Sequence, residues 1–476
     1  MKRYETLAAD IEDSIRSGVL RSGDRLPSIR IASRHRGISA STVFGAYYLL
    51  EARGLVRARA KSGYYVSAGP RRFPPEAQSV SAAADDSVDL AVSERVFQIL
   101  EHTARRKAVP LGSAFLSPLL FPLPRLGRYL AASARNLDPW STVDDLTPGN
   151  DTLRRQIAVR YVSDGIRVPT DEIVVTNGAL EALNLCLAAV ARVGDSVIVE
   201  SPTFYAALQS LERLGMRAIE VPTHQRDGIE LGALEQAIKQ HKPKACWLMT
   251  TFQNPMGSTL PEGKKRQLVE LLARHDMPLI EDDVYGELYF GAKRPLPAKA
   301  FDKAGLVLHC SSFSKCLAPG YRIGWVAAGR YAKAVARQKL ATSLASSTPT
   351  QIALANYLEH GGFDKHLRKL RQTLEKQQRV FAQAIGHYFP EGTRATRPAG
   401  GYFVWVELPP GADSLEIQSR ALKLGICVAP GPIFSARPHF KNFLRLNYGH
   451  PWNERTEWAL ATLGRVAATG HRCSPA

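Results

Sequence analysis

The stretch SSFSKCLAPGYRIGW, residues 311–325, decides how this chain is read. An apolar run, GLVLHC (305–310), enters it as a strand, and the hydroxyl-rich turn that follows carries Lys315. Ser312 and Ser314 supply hydroxyl donors, and Arg322 supplies a fixed planar fork of N–H groups, a set suited to a phosphate. A lysine alone is commonplace. A lysine at a strand exit beside an anion cradle is a site. Working outward, Thr176-Asn177-Gly178-Ala179 closes the strand EIVVTNG and opens a helix. The unpaired N–H groups at Gly178 and Ala179, with the positive end of that helix, serve the same anion.

From about residue 110, β-rich runs alternate with helical stretches: EIVVTNG, SVIVESP, KACWLMTT, MPLIEDDVY, GLVLHCSS and RIGWVAAG. That alternation predicts an α/β body with a mostly parallel sheet covered on both faces. Long amphipathic helices near 350–388, followed by GYFVWVEL, ICVAP and FLRLNY, predict a second, smaller α+β lobe. In an open α/β sheet the strand ends converge on one crevice. Asp282 ends one apolar strand, with Val284 on the same face and Tyr285 at the exit. Asn254 in TFQNPMGS and Phe204 in ESPTFYAA follow two others. A lysine amine, a phosphate cradle, a carboxylate, a phenol, an amide and an aromatic plate are what pyridoxal 5′-phosphate needs. The lysine forms a Schiff base with its aldehyde, the carboxylate keeps the ring nitrogen protonated, and the phenol and amide bond the ring oxygen. No GxGxxG follows a strand, so a dinucleotide site has no support.

The other end of the chain has a different chemistry. Of a net charge of +18 on 476 residues, residues 1–72 contribute fourteen Lys/Arg against six acids, or +8. Tyr4, Leu7, Ala8, Ile11 and Ile15 recur at helical spacing. SIRIASRHRG predicts a short helix capped near Ser28, Gly37-Ile38-Ser39 a turn, and SASTVFGAYYLLEARG a longer helix. LVRARA and GYYVSA alternate around Lys61-Ser62-Gly63 as a hairpin. This is the order of a winged helix-turn-helix, which points to double-stranded DNA. Ser39, Ser41 and Thr42 open the reading helix, Arg30 lies beside it, and Arg57, Arg59 and Lys61 line the wing. Val43, Ala46, Tyr47, Leu49 and Leu50 are expected in the core. Residues 69–93, rich in Pro, Ala, Ser and Asp, read as a flexible tether, with a helix near Glu94–Arg106 after it.

DRLPSIR, GISASTV, AYYLLEARGLV and SGYYV resemble the GntR family of bacterial regulators, except that Ala40 stands where that family often has Arg. SFSKCLAPGYRIGW, NPMG and DDVY resemble the Schiff-base, NP(x)G and D-x-x-Y motifs of the fold-type I aminotransferases. Together they resemble the MocR subfamily of regulators, its YdcR-type members most closely. The resemblance implies that Lys315, Asp282 and Tyr285 are catalytic in kind, and that Asn254 shares the ring oxygen with Tyr285. It further implies that Phe204 (or Tyr205) stacks on the ring, that Ser312, Ser314 and Arg322 bind phosphate, and that Arg445 in NFLRLNYGH grips a substrate carboxylate. VDDLTPG, just before PGNDTLRRQIA, lacks the tyrosine that many relatives reach across the dimer. The implied protein is a homodimeric regulator with a winged head (1–69), a linker (70–105) and an aminotransferase-like body (106–476). An amino compound would displace Lys315, draw Arg445 and the small lobe inward, and move the heads through the linker.

Two rivals remain at this stage. One is a working aminotransferase with an accessory DNA-binding head. The other is serine acyl transfer through the S-x-x-K run Ser312–Lys315, although its companion S-D-N and a following K-T-G are absent. Six scattered cysteines (186, 246, 310, 316, 427 and 473) without CxxC pairs predict free thiols and no metal site. The polar start and the absence of a long apolar run predict a cytoplasmic protein without a membrane anchor.

Overall fold

The computed structural model describes residues 3–17, 19–21, 23–52, 54–59, 62–66, 73–77, 81, 87–88, 90, 92–94, 96–97 and 108–469. The head is built from α1 (Arg3–Arg16), α2 (Ile29–Arg36), α3 (Ala40–Ala52) and the antiparallel strands β1 (Val56–Arg59) and β2 (Gly63–Val66). Ser28 starts α2 by accepting the Ile31 N–H at 3.3 Å. Val43, Ala46, Tyr47 and Leu50 on α3 pack against Leu7 and Ile11 of α1, while Leu49 is only half-buried at the edge of this core. Tyr47 fixes the turn before α2 by donating to the Pro27 carbonyl at 2.9 Å.

The body has a large and a small lobe. The large lobe holds β3 (Ile173–Thr176), β4 (Ser196–Ser201), β5 (Arg217–His224), β6 (Gly228–Ile229), β7 (Ala245–Leu248), β8 (Leu279–Asp282), β9 (Val307–Ser312) and β10 (Gly324–Ala327). Their order is β3-β10-β9-β8-β7-β4-β5-β6. The strands β5-β4-β7-β8-β9 run parallel, whereas β10 is antiparallel to both β9 and β3. Every residue of β3, β7, β8 and β9 is buried, as expected for strands covered by helices on both faces. The small lobe carries β11 (Arg394–Ala395), β12 (Phe403–Glu407), β13 (Ala429–Pro430) and β14 (Phe443–Asn447), ordered β11-β12-β14-β13 and all antiparallel. The helices Phe363–Tyr388 and Glu454–Thr469 pack on each other and share a core with this sheet, Phe381 and Leu463 clustering with Val404 and Leu446.

The linker departs from expectation. Its described residues do not hang free but lie along the body. Ala395 N–H donates to the Pro75 carbonyl at 2.9 Å, and Glu76 pairs with Arg226. Ser81 hydroxyl donates to the Ser201 carbonyl at 3.1 Å, and Val88 bridges to Ala218 on β5. Glu212 accepts the N–H groups of Val92 and Ser93 at 3.0 and 2.9 Å, capping a helical turn. Val96 is fully buried in a cluster with Tyr205, Trp405 and Phe434. Ser93, Glu94, Val96 and Phe97 are helical, and the rest of the helix expected through Arg106 lies outside the described residues. A composition poor in large apolar residues hid this docking because backbone groups make most of its contacts.

Candidate functional site

Strand ends converge as the alternation predicted. Asp282 closes β8, Ser312 closes β9, and Gly178 caps the helix Ala179–Val190 that follows β3. Arg322 links the last two. Its Nη1 donates to the Ser314 hydroxyl at 3.3 Å and its Nη2 to the Asn177 carbonyl at 3.2 Å. The approach is so close that a Cβ on Gly178 would sit 2.5 Å from Nη2, so only glycine fits there. Arg322 itself holds φ 53, a conformation that costs a non-glycine residue on the order of 1 kcal/mol. No side chain caps the helix at Gly178, which leaves its first N–H groups for an anion.

Asp282 is fully buried, and its Oδ1 has no partner among the described residues. Burial pushes its carboxyl up to about 7 against a hydrogen bond from the Val284 N–H; Asp283 adds to the rise and Lys315 opposes it. Lys315 is half-buried. Burial and the positive charge of Arg445 bring its amine down to about 7, against the pull of Asp282. Tyr285 is buried and receives the Asn254 amide N–H at 3.5 Å. Asn254 Oδ1 in turn accepts from Arg445 Nη1 at 3.1 Å. Arg445 on β14 is fully buried, stacks 4.3 Å from the Phe403 ring, and has no carboxylate partner among the described residues. Its Nη2 donates to the Gly112 carbonyl at 2.6 Å, and its Nε has no partner among the described residues. Phe204, half-buried at the start of the helix Tyr205–Arg213, lies 4.8 Å from the Tyr205 ring. Burial raises the Tyr205 phenol, and the nearby Arg445 guanidinium works against that rise.

Sequence reasoning missed a strap over this pocket. Lys315 Nζ donates to the Ala114 carbonyl at 2.8 Å and lies 4.3 Å over the Phe115 ring; Tyr402 donates to the same carbonyl at 2.9 Å. Gly112 and Ala114 act through their carbonyls, which carry no side-chain signature. The S-x-x-K reading finds no support in these contacts, because the Lys315 amine is given to Ala114 and Ser312 accepts the Ser314 N–H. A second missed group lies behind Asp282. Trp325 donates to Tyr161, Tyr161 to His309 at 2.6 Å, and His309 to Asp283 at 3.1 Å. Burial works to raise Asp283, but this bond and the Arg294 guanidinium outweigh it and hold the carboxyl below its usual range.

On the head, Ser39, Ser41 and Thr42 meet at the start of α3. The Ser39 oxygen lies 2.9 and 2.8 Å from the other two hydroxyls and accepts the Thr42 N–H. Arg30 is exposed. Arg57, half-exposed, pairs with Glu457 of the body at 3.4 Å. The Arg59 side chain and Lys61 lie outside the described residues. No group of His, Cys, Asp and Glu among the described residues is arranged to hold a metal ion.

Residues 3–66 match the gntR family of bacterial regulatory proteins, and residues 146–461 match aminotransferase class I and II. The chain is 47% identical to the uncharacterized HTH-type transcriptional regulator YdcR of Escherichia coli K12, over 98% of this chain and 99% of that one. The multiple substrate aminotransferase of Thermococcus profundus superposes with a TM-score of 0.74 at 28% identity, over 81% of this chain and 97% of its own. LysN, the alpha-aminoadipate aminotransferase of Thermus thermophilus, complexed with N-(5′-phosphopyridoxyl)-L-leucine, gives 0.73 at 27%, over 80% and 95%.

Proposed function

The chain belongs to the aminotransferase class I and II family and carries a gntR-family head, and from that premise we propose a DNA-binding transcriptional regulator that uses pyridoxal 5′-phosphate to sense an amino compound. The observation that carries the reading is Asp282, a buried carboxyl with one oxygen unpartnered, within electrostatic reach of a lysine near neutrality. Such a group is costly to bury unless a ligand completes it. The donor set fits the cofactor. Bound there, it supplies an aldehyde that condenses with primary amines and a ring that withdraws electrons from the adjacent carbon.

Lys315 would hold it covalently, since an amine brought to about 7 is substantially unprotonated at neutral pH. Asp282 would hold the proton on the ring nitrogen, and Tyr285 and Asn254 would bond the ring oxygen. Phe204, or Tyr205, would stack on the ring. Gly178 and Ala179 would offer N–H groups to the phosphate, beside Ser312, Ser314 and Arg322. Arg445 would exchange the Gly112 carbonyl for the carboxylate of an amino acid effector, a stronger, bidentate partner. Ser39, Ser41, Thr42 and Arg30, with Arg57, Arg59 and Lys61 on the wing, would serve operator DNA. A homodimer belongs to this reading, because Leu119 and Trp140 stand 83% and 71% exposed and a second copy would cover them. So do the head at 1–69, the linker at 70–105 and the body at 106–476. A cytoplasmic location belongs to it as well; no described helix is long and apolar enough to cross a membrane.

Reduction of the cofactor-soaked protein with borohydride, followed by peptide mass spectrometry, is the test. Modification of Lys315 is expected, and an unmodified peptide would refute the reading. The second reading, a turning-over aminotransferase, draws support from Lys315, Asp282, Tyr285 and Asn254 lying in one pocket, although the tyrosine that many relatives supply from VDDLTPG is missing. Its mark is transamination at about 1 to 1000 per second, and rates far below that range favour sensing.

A further inference from the structure

The head is seated on the small lobe, and the seam joins it to the strand that carries Arg445. Arg57 of β1 pairs with Glu457, whose Oε1 also accepts the Tyr388 hydroxyl at 3.0 Å. Lys376 Nζ lies 4.7 Å over the Tyr48 ring of α3. Gly54, between α3 and β1, comes so close to the body that a Cβ there would meet the Gln383 amide. A cavity of about 750 Å³ remains in the seam, lined by Glu51, Arg57, Lys376, Trp452 and Glu457 among others.

The body side of this seam is two helices, Phe363–Tyr388 and Glu454–Thr469. β14, with Arg445, runs through 448–453 directly into the second of them. Gln377 ties the first helix to that connection by donating to the His450 carbonyl at 3.0 Å. The strap over the pocket is stitched to the same strand. Asn447 N–H donates to the Leu111 carbonyl at 2.7 Å, and its amide to the Ser113 and Phe115 carbonyls. The linker is pinned to both lobes, to the small lobe at Ala395 and Arg397 and to the large lobe at Ser201, Ala218 and Glu212. A pinned segment does not pass on a displacement as a slack tether would.

We propose that the head rides on the small lobe as one unit, so that a displacement at Arg445 reaches α3 through Glu457 and Lys376 and not through the linker. The proposal rests on the reading above, in which Arg445 receives an effector carboxylate. A half-exposed ion pair and one cation–ring contact are each weak, because solvent screens them. Such a seam sets an orientation without locking it, as a switch requires. The recognition end of α3 faces away from the seam, with Ser39 and Ser41 exposed, so a seated head still presents its DNA surface.

The test uses the full chain loaded with pyridoxal 5′-phosphate and the double variant Lys376→Glu, Glu457→Lys, which reverses both seam charges. Standard L-amino acids are added singly while the visible spectrum is recorded, together with affinity for a duplex selected from a random pool by the wild-type protein. Hydrogen exchange is followed at residues 48–58. In the variant, exchange should speed up and the spectral response should keep its midpoint. The effect of the amino acid on DNA affinity, about 5- to 150-fold for ordinary allosteric coupling, should fall below about twofold. Adding Arg57→Glu, which re-forms the ion pair with the new lysine but not the Lys376–Tyr48 contact, should restore that ratio in part, whatever it does to DNA affinity itself. An undiminished ratio, or unchanged exchange, would overturn the proposal. A wild-type protein whose DNA affinity answers to none of these amino acids would instead refute the sensing reading beneath it.

Discussion

The head and the pocket recognise charge in opposite ways. The head keeps its groups in water: Arg30, Arg34, Ser39 and Ser41 are exposed, and α3 opens with hydroxyls at the surface. The pocket buries Asp282 and Arg445 completely and leaves one atom of each, Oδ1 and Nε, without a partner among the described residues. Exposed groups contribute additively and modestly, because solvent screens each one. Buried ones act as a set whose energy is released only when a ligand completes it. Single substitutions should therefore silence the pocket and only weaken the head.

The largest effect is expected at Lys315. Lys315→Ala should abolish retention of pyridoxal 5′-phosphate through gel filtration, together with its visible absorbance; partial retention of colour would break the contrast. Asp282→Asn comes next, with cofactor affinity lowered on the order of 100-fold or more, since a buried charged partner is worth about 2–5 kcal/mol. The same change should stabilise the cofactor-free protein at pH 8. The folded-state value of Asp282 is raised to about 7, so its contribution to stability is present at low pH and disappears as pH rises through 7. The Tm of the cofactor-free wild type should accordingly fall between about pH 4 and 7, and Asp282→Asn should flatten that fall. A steeper fall in the variant would contradict the assignment. The rate of cofactor capture should climb through pH 7 as Lys315 loses its proton, and a rate that declines there would contradict it.

Arg445→Gln should remove the preference for amino acids over the same amines lacking a carboxylate, by on the order of 100-fold in spectral titrations. The smallest effects belong to the head. Thr42→Ala should weaken binding to the selected duplex about fivefold, the value of one hydrogen bond of about 1 kcal/mol. Arg30→Ala should reduce the slope of log affinity against log salt by about 1. A loss of several hundredfold at either position would show that the head, too, works as an all-or-none set.

The same contrast governs what the sequence made legible. Lys315, Asp282, Asn254, Tyr285 and Arg322 were singled out because side-chain chemistry at strand ends leaves a pattern, and Arg445, in mid-strand, only by the family resemblance. The structure brings them together, with Asn254 bridging Tyr285 and Arg445. Gly112 and Ala114 escaped because a carbonyl is common to every residue. The linker misled for a related reason: Pro75 and Ser81 engage the body through a carbonyl and a small hydroxyl, and only Val96 contributes a buried apolar side chain. Arg57 was legible as a basic wing residue, but its pairing with Glu457 depends on how head and body meet, which no local pattern encodes.

The central claim is that a vitamin-derived aldehyde on Lys315 and a DNA grip belong to one switch. The direct measurement follows absorbance and the anisotropy of a labelled duplex, selected from a random pool, in one sample as standard L-amino acids are added singly. At least one of them should shift both signals with a common midpoint. Protein that stays colourless after soaking in pyridoxal 5′-phosphate, or a colour change with anisotropy unmoved, would contradict the account.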